Sequence, residues 1–143
     1  MFNSILVVCT GNICRSPIGE RILRRIFPDK VIDSAGIHAM VDHAADASAI
    51  RISAKHGLSL EGHKGRQFTG TMAKEYDLIL VMEKNHLDKI CRIAPEVSGK
   101  VMLYGHWLKK EIPDPYQKSD EAFVCVYELI EQSAHYWVAK LGR

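Results

Sequence analysis

The sequence contains no uninterrupted apolar stretch near the roughly 20 residues that a membrane span requires. Its apolar opening, residues 2–9, has no basic leader and runs directly into a polar, glycine-containing turn. Neither a span nor a secretory signal is expected from that pattern, so a cytoplasmic location without membrane insertion is expected. The seven histidines are dispersed and none forms an HExxH pair. Of the four cysteines, Cys9, Cys14, Cys91 and Cys125, the last two are isolated. Structural zinc sites use tight pairs plus a second cluster, and a cytosolic chain of this size rarely carries disulfides. No metal or cofactor is therefore expected. Basic residues form no run, and a net charge of +2 with a pI near 8.3 is too weak to imply nucleic acid. Repeats, low-complexity tracts and linkers are absent too, which suggests one domain over residues 1–143.

What is present is enough for a core: 47% of the 143 residues are hydrophobic and 25% are charged. Ile5 to Cys9 is a β-branched apolar run, as expected of a strand buried on both faces. Ser16 and Pro17 look like a helix cap and first helical position, followed by Ile18, Ile22, Leu23 and Ile26 at helical spacing. Further strands are expected at Val31–Ser34, Asp77–Met82 and Val101–Tyr104. Helices are expected at Ala44–His56, with Gly57 as C-terminal cap, at Lys84–Ile93 and at about Asp120–Lys140. The apolar stripe of the Ala44–His56 helix is read as Ala47, Ile50 and Ala54. That of the last helix is read as Ala122, Val124, Cys125, Leu129 and Trp137. Alternating strands and helices predict an α/β fold, a parallel sheet covered on both sides.

In such folds ligands bind beyond the carboxyl ends of the strands, often against a helix N-terminus. The segment Cys9-Thr10-Gly11-Asn12-Ile13-Cys14-Arg15-Ser16 occupies that place. It matches neither GxxxxGK nor GxGxxG. It begins instead with a cysteine and closes with an arginine five residues further on. A loop wrapped around a tetrahedral oxyanion can turn successive backbone N–H groups inward, helped by the helix dipole. Arg15 can hold two phosphoryl oxygens with its planar fork, and the same positive surroundings favour a Cys9 thiolate able to attack phosphorus in line. Asn12 and Ser16 are candidates for organising the loop or donating to the thiolate. A cysteine that merely ends a strand and a surface arginine could share this spacing. The order of strand, turn and helix start favours the anion loop.

A phosphoester also needs a proton for its departing oxygen. Asp114 fits best, because Pro113 and Pro115 stiffen its loop, although such a loop can be purely structural. Asp33, Asp42 and Asp46 compete weakly as strand-end or helix-start groups. Tyr116 could wall a substrate ring or anchor its loop, and Met40 could form rim or core. His63 could brace the anion loop. Cys14 could form a disulfide with Cys9 that shields it from deeper oxidation, or be a small packed thiol.

Together these residues resemble the low-molecular-weight protein tyrosine phosphatases, particularly bacterial members associated with exopolysaccharide and capsule production. The resemblance spans nearly the whole chain. It rests on Val7-Val8-Cys9 through Arg15-Ser16-Pro17 and on Asp114-Pro115-Tyr116, supported by Asp33-Ser34-Ala35-Gly36 and His63-Lys64-Gly65-Arg66-Gln67. It implies a four-stranded parallel sheet flanked by helices, with the phosphatase loop between the first strand and first helix. It also implies Cys9 as nucleophile, Arg15 as phosphate clamp, Asp114 as general acid, and Asn12, Ser16 and His63 as loop supports. A phosphotyrosine protein is the implied substrate, and a membrane tyrosine autokinase the implied partner. Met40 stands where animal members place an aromatic, and Gln117 where some have a second tyrosine. Gly65 replaces the usual alanine, implying a looser supporting turn. Arsenate reductases of the same fold use two further cysteines as a relay, for which only Cys91 lies in a suitable region. A noncatalytic phosphotyrosine-binding module is the other alternative, opposed by the intact Cys9, Arg15 and Asp114.

Overall fold

The computed structural model describes residues 2–142. The first strand, β1 (Ser4–Cys9), runs through the middle of a four-stranded sheet of order β2-β1-β3-β4. Its partners are β2 (Val31–Gly36) and β3 (Leu78–Val81), and β4 (Val101–Leu103) lies outside β3; every pairing is parallel. Because side chains alternate across a strand, β1 feeds two cores. Ile5, Val7 and Cys9 enter one, and Leu6 and Val8 the other. β3 does the same, with Leu78 and Leu80 on the first side and Ile79 and Val81 on the second. This accounts for runs that are apolar without a break.

Among the described residues, five α-helices cover the sheet: α1 (Arg15–Ile26), α2 (Ala47–Lys55), α3 (Gly70–Ala73), α4 (Lys84–Ile93) and α5 (Asp120–Leu141). Helices α1, α2 and α5 close the first core, and α3 and α4 supply residues to the second. From β1 the chain first moves to β2 on one side and later returns to β3 on the other. Strand order therefore reverses at the carboxyl end of β1, the place where sheets of this kind leave a crevice. Among the described residues, no helix is long and apolar enough to cross a membrane.

Several details differ from the expectations. Helix α1 begins at Arg15, one residue before the expected cap, and has no side-chain cap bond. The Ser16 hydroxyl is turned toward Cys9 instead. Strand β2 extends to Gly36 because its last residues pair with the end of β1. Helix α2 starts later than expected, after Asp46, whose carboxylate accepts from the Ser48 and Ala49 N–H groups. Its buried face is Ala49, Ile52 and Ser53, and Ile50 is exposed, so the stripe is rotated from the one read. In α5, Trp137 is buried as expected, but Cys125 faces solvent and Phe123, Val126, Tyr127, Ile130 and Ala134 complete the buried face. Helix α2 is rich in alanine and serine, and α5 carries apolar residues around much of its circumference, so periodicity alone sets their rotation poorly. Gly57, at φ 71°, does follow the end of α2.

Candidate active site

The loop after β1 is held from outside by its carbonyls. Those of Cys9, Thr10, Gly11 and Ile13 accept from the N–H groups of Ile37, His38, Met40 and Asp46 at 2.8–3.0 Å. The Asn12 carbonyl accepts from His63 Nε2 at 2.6 Å. In a trans peptide C=O and N–H point opposite ways, so five outward carbonyls leave the following N–H groups turned inward. The inward side is a cavity of about 210 Å³ lined by Cys9, Thr10, Gly11, Ile13, Cys14, Arg15, His38, Met40, Asp114 and Tyr116. Gly36 makes the loop's close fit possible, since a Cβ there would lie 2.5 Å from the Thr10 carbonyl oxygen.

Asn12 is fully buried and adopts a left-handed conformation at φ 59°, which asparagine tolerates better than most residues. Its Oδ1 accepts the Arg66 backbone N–H at 2.8 Å, which fixes the orientation of the amide. Nδ2 must then donate, to Ser16 Oγ at 2.7 Å and Ser34 Oγ at 3.0 Å. Ser34 passes its own hydrogen to Glu20 at 2.7 Å. Ser16, already accepting, has its hydrogen free for Cys9 Sγ at 2.9 Å, and the Asn12 N–H approaches the same sulfur at 3.3 Å. The buried chain thus ends in donors directed at the thiol of Cys9, itself only 2% exposed. Burial pushes the pKa of His63 below its ordinary value, opposed by its bond to Asn12.

Arg15 is 1% exposed. Its Nη1 donates to Glu83 and to the Ile112 carbonyl at 2.8 Å, and Nη2 donates to Thr10 Oγ1 at 3.3 Å. Asp114 lies on the far side of the cavity, half-exposed, with Oδ2 3.8 Å from Arg15 Nη2. Its Oδ1 accepts the Tyr116 N–H at 3.0 Å, which closes the loop on itself and leaves Oδ2 facing Arg15. Tyr116 and Met40 stand at the same cavity, although Met40 also packs against the first core. Cys14 is a buried free thiol whose pKa is pushed well up, first by burial and then by Asp46.

The structure therefore brings Cys9, Thr10, Gly11, Ile13, Cys14, Arg15, Met40, Asp114 and Tyr116 around one cavity, with Asn12, Ser16 and His63 behind it. Sequence reading passed over Glu83 and His86, which reach the site from the start of α4, and Ser34 and Glu20, which extend the Asn12 network. The pairing of Val8 with Val81 brings Glu83 and His86 near the loop, and no local spacing announces it. Gly65 is not loose. Its N–H and carbonyl bond His43 and Asp42 at 2.9 Å, and a Cβ there would lie 2.1 Å from the Met40 oxygen. Cys91 sits half-buried on α4 and Cys125 is exposed on α5; neither lines the cavity.

Residues 4–143 match the family described as low molecular weight phosphotyrosine protein phosphatase. The chain belongs to that family. It is 58% identical over 143 residues to the low molecular weight protein-tyrosine-phosphatase Etp of Escherichia coli K12, covering 99% of this chain and 97% of Etp. Among solved structures it resembles the tyrosine phosphatase Wzb of Escherichia coli K30 in complex with sulphate, with a TM-score of 0.98 and 64% identity over 99% of this chain and 100% of that one. Wzb of Vibrio vulnificus in complex with benzylphosphonate is similar as well, at a TM-score of 0.95 and 49% identity, covering 98% and 99% of the two chains.

Proposed function

We propose that this chain, as a single domain, is a protein tyrosine phosphatase that hydrolyses phosphotyrosine through a Cys9 thiophosphate. The observation that carries the reading is the meeting of three groups at one cavity: the Cys9 sulfur, the Arg15 guanidinium, and the Asp114 Oδ2 that faces it. Sulphate and benzylphosphonate complexes of the two Wzb relatives fit the same chemistry, a tetrahedral anion alone and one carrying an aromatic group. In the first step the Cys9 thiolate attacks phosphorus, the P–O bond to tyrosine breaks, and Asp114 Oδ2 gives its proton to the departing oxygen. In the second, the Asp114 carboxylate takes a proton from water as that water attacks phosphorus. The S–P bond breaks, returning the thiolate and releasing inorganic phosphate. Arg15 and the inward N–H groups hold the phosphoryl oxygens through both steps. Ser16, Asn12 and His63 keep the loop shaped, and Met40 and Tyr116 form the rim that meets the tyrosine ring.

The resemblance to bacterial members associated with exopolysaccharide and capsule production supports a cytoplasmic role in which the substrate is a membrane tyrosine autokinase that controls that synthesis or export. The test compares phosphotyrosine peptide, phosphoserine peptide and arsenate with wild type, Cys9→Ser and Arg15→Ala. Phosphate release from the phosphotyrosine peptide alone, abolished by Cys9→Ser, is expected. Undiminished turnover in Cys9→Ser would sink the covalent mechanism, and thiol-dependent arsenate reduction without phosphate release would replace the reading with the reductase.

A further inference from the structure

A guanidinium has five N–H donors, and those of Arg15 can be counted. Both hydrogens of Nη1 are taken, by Glu83 and the Ile112 carbonyl, and one of Nη2 goes to Thr10 Oγ1. The donors without a hydrogen bond to protein among the described residues are the Nε hydrogen and one hydrogen of Nη2, the nitrogen that Asp114 Oδ2 faces at 3.8 Å, and these are what Arg15 can offer to phosphoryl oxygens. Three protein contacts thus decide which edge of Arg15 is offered to the anion.

The Thr10 contact has a further anchor. His86 Nδ1 accepts the Glu83 backbone N–H at 3.2 Å, so the ring proton must sit on Nε2, which donates to Thr10 Oγ1 at 2.9 Å. The ring is 1% exposed, and its burial together with the Arg15 charge keeps it neutral. Thr10 Oγ1 consequently accepts twice, from His86 and Arg15, and both its lone pairs are filled. Its own hydrogen has no protein acceptor among the described residues, and Thr10 lines the cavity that holds Cys9. We infer that His86 is a positioning residue that acts through the Thr10 hydroxyl, fixing the Arg15 edge offered to the phosphoryl group and leaving the Thr10 hydrogen as an added donor to that group. Neither His86 nor the Thr10 side chain makes a bond in the reaction; they set the geometry of one that does. The inference rests on the phosphatase reading above.

The test is a double-mutant cycle of Thr10→Val and His86→Ala, with Thr10→Ser as the conservative control. Turnover of a phosphotyrosine peptide and competitive inhibition by inorganic phosphate and vanadate are read in each variant. Urea titration and circular dichroism verify that each is folded. Thr10→Val, which keeps the shape and removes the hydroxyl, is expected to weaken vanadate inhibition and lower kcat/KM about tenfold, the scale of one hydrogen bond to a charged group. Thr10→Ser should restore most of that loss. His86→Ala should cost severalfold in wild type and little more in the Thr10→Val background, because its effect passes through the lost hydroxyl. Equal vanadate inhibition in wild type and Thr10→Val would overturn the inference. So would a His86→Ala loss that is the same in both backgrounds. If His86→Ala does not fold, His86→Met, which keeps bulk and removes the ring donor, replaces it in the cycle and is judged by the same outcomes. A wild type that binds phosphate and vanadate but releases no phosphate from the peptide would fail the phosphatase reading, an outcome distinct from either of these.

Discussion

Acidification should destabilise the fold through His86 in a range where a wild-type-like chain without that ring would be spared. The ring is buried against the Thr10 hydroxyl and the Glu83 backbone, and its pKa is pushed down to about 4 by burial first and by the Arg15 charge second. Glu83, with a carboxylate oxygen 3.9 Å from Nε2, opposes the fall, and Lys89 and Asp114 make smaller contributions of opposite sign. In the unfolded chain the same ring titrates near 6.5. The unfolded state therefore takes up the proton first as the pH drops. The stability held by neutral His86 is complete above about pH 6.5 and is lost progressively toward pH 4. At up to about 1.4 kcal/mol per pH unit across that interval, the loss reaches roughly 3 kcal/mol by pH 4. Urea titrations between pH 4 and 8, followed by tryptophan fluorescence, measure it, since Trp137 is buried in the first core. His86→Gln retains a side-chain amide that can donate to Thr10 and does not titrate, so the difference between wild type and variant isolates the ring from the other acids. Wild type is expected to lose its advantage over His86→Gln as the pH falls. Stability curves that stay parallel from pH 7 to 4 would refute the assignment of a neutral, buried His86.

Asp114→Asn should lower kcat by about 10²–10⁴ for phosphotyrosine and by distinctly less for p-nitrophenyl phosphate, whose departing oxygen needs no proton; equal losses on the two substrates would remove Asp114 from the acid role. Gly65→Ala should force the Met40 turn away, at a cost of about 1–3 kcal/mol in urea titration, and change KM for phosphopeptides more than kcat. An unchanged KM and stability would mean that the contact yields without effect. Peroxide should convert Cys9 to a sulfenic acid, which condenses with the Cys14 thiol to a disulfide and water. Peptide mapping without reductant should find that Cys9–Cys14 bond, and recovery of Cys9 only as sulfinic or sulfonic acid would count against protection.

The parts of this site that could be read from the sequence are those whose geometry is local. A β-branched run ending in Cys9, a short loop and an arginine at the start of a helix are neighbours along the chain, so their order already implies the loop. Asp114 announced itself by the prolines on either side. Glu83 and His86 did not, because what places them is the parallel pairing of β3 with β1, a contact across roughly seventy residues of chain. Of the two roles expected of Ser16, the cap is not formed, while its place beside the Cys9 sulfur is. Serine before proline is a good helix-cap signal, but here Asn12 already donates to its hydroxyl, which is turned to the sulfur of Cys9 at 2.9 Å. The rotations of α2 and α5 were also missed. Alanine is tolerated on either face, and only packing against the sheet chooses between them.

The amide of Asn12 gives the loop a polarity that a single atom could reverse. All of its side-chain capacity described above is directional: it accepts from Arg66 on one side and donates toward Ser16 and Ser34 on the other. Deamidation to aspartate would leave the shape almost unchanged while replacing two donors by an acceptor. The Ser16 hydrogen would then have a carboxylate to turn to, and Cys9 would keep only the Asn12 backbone N–H at its sulfur and gain a negative charge behind the loop. An aged or misincorporated chain could in that way keep its fold and be chemically silent, so the proportion of correctly folded protein would overstate the proportion able to turn over substrate.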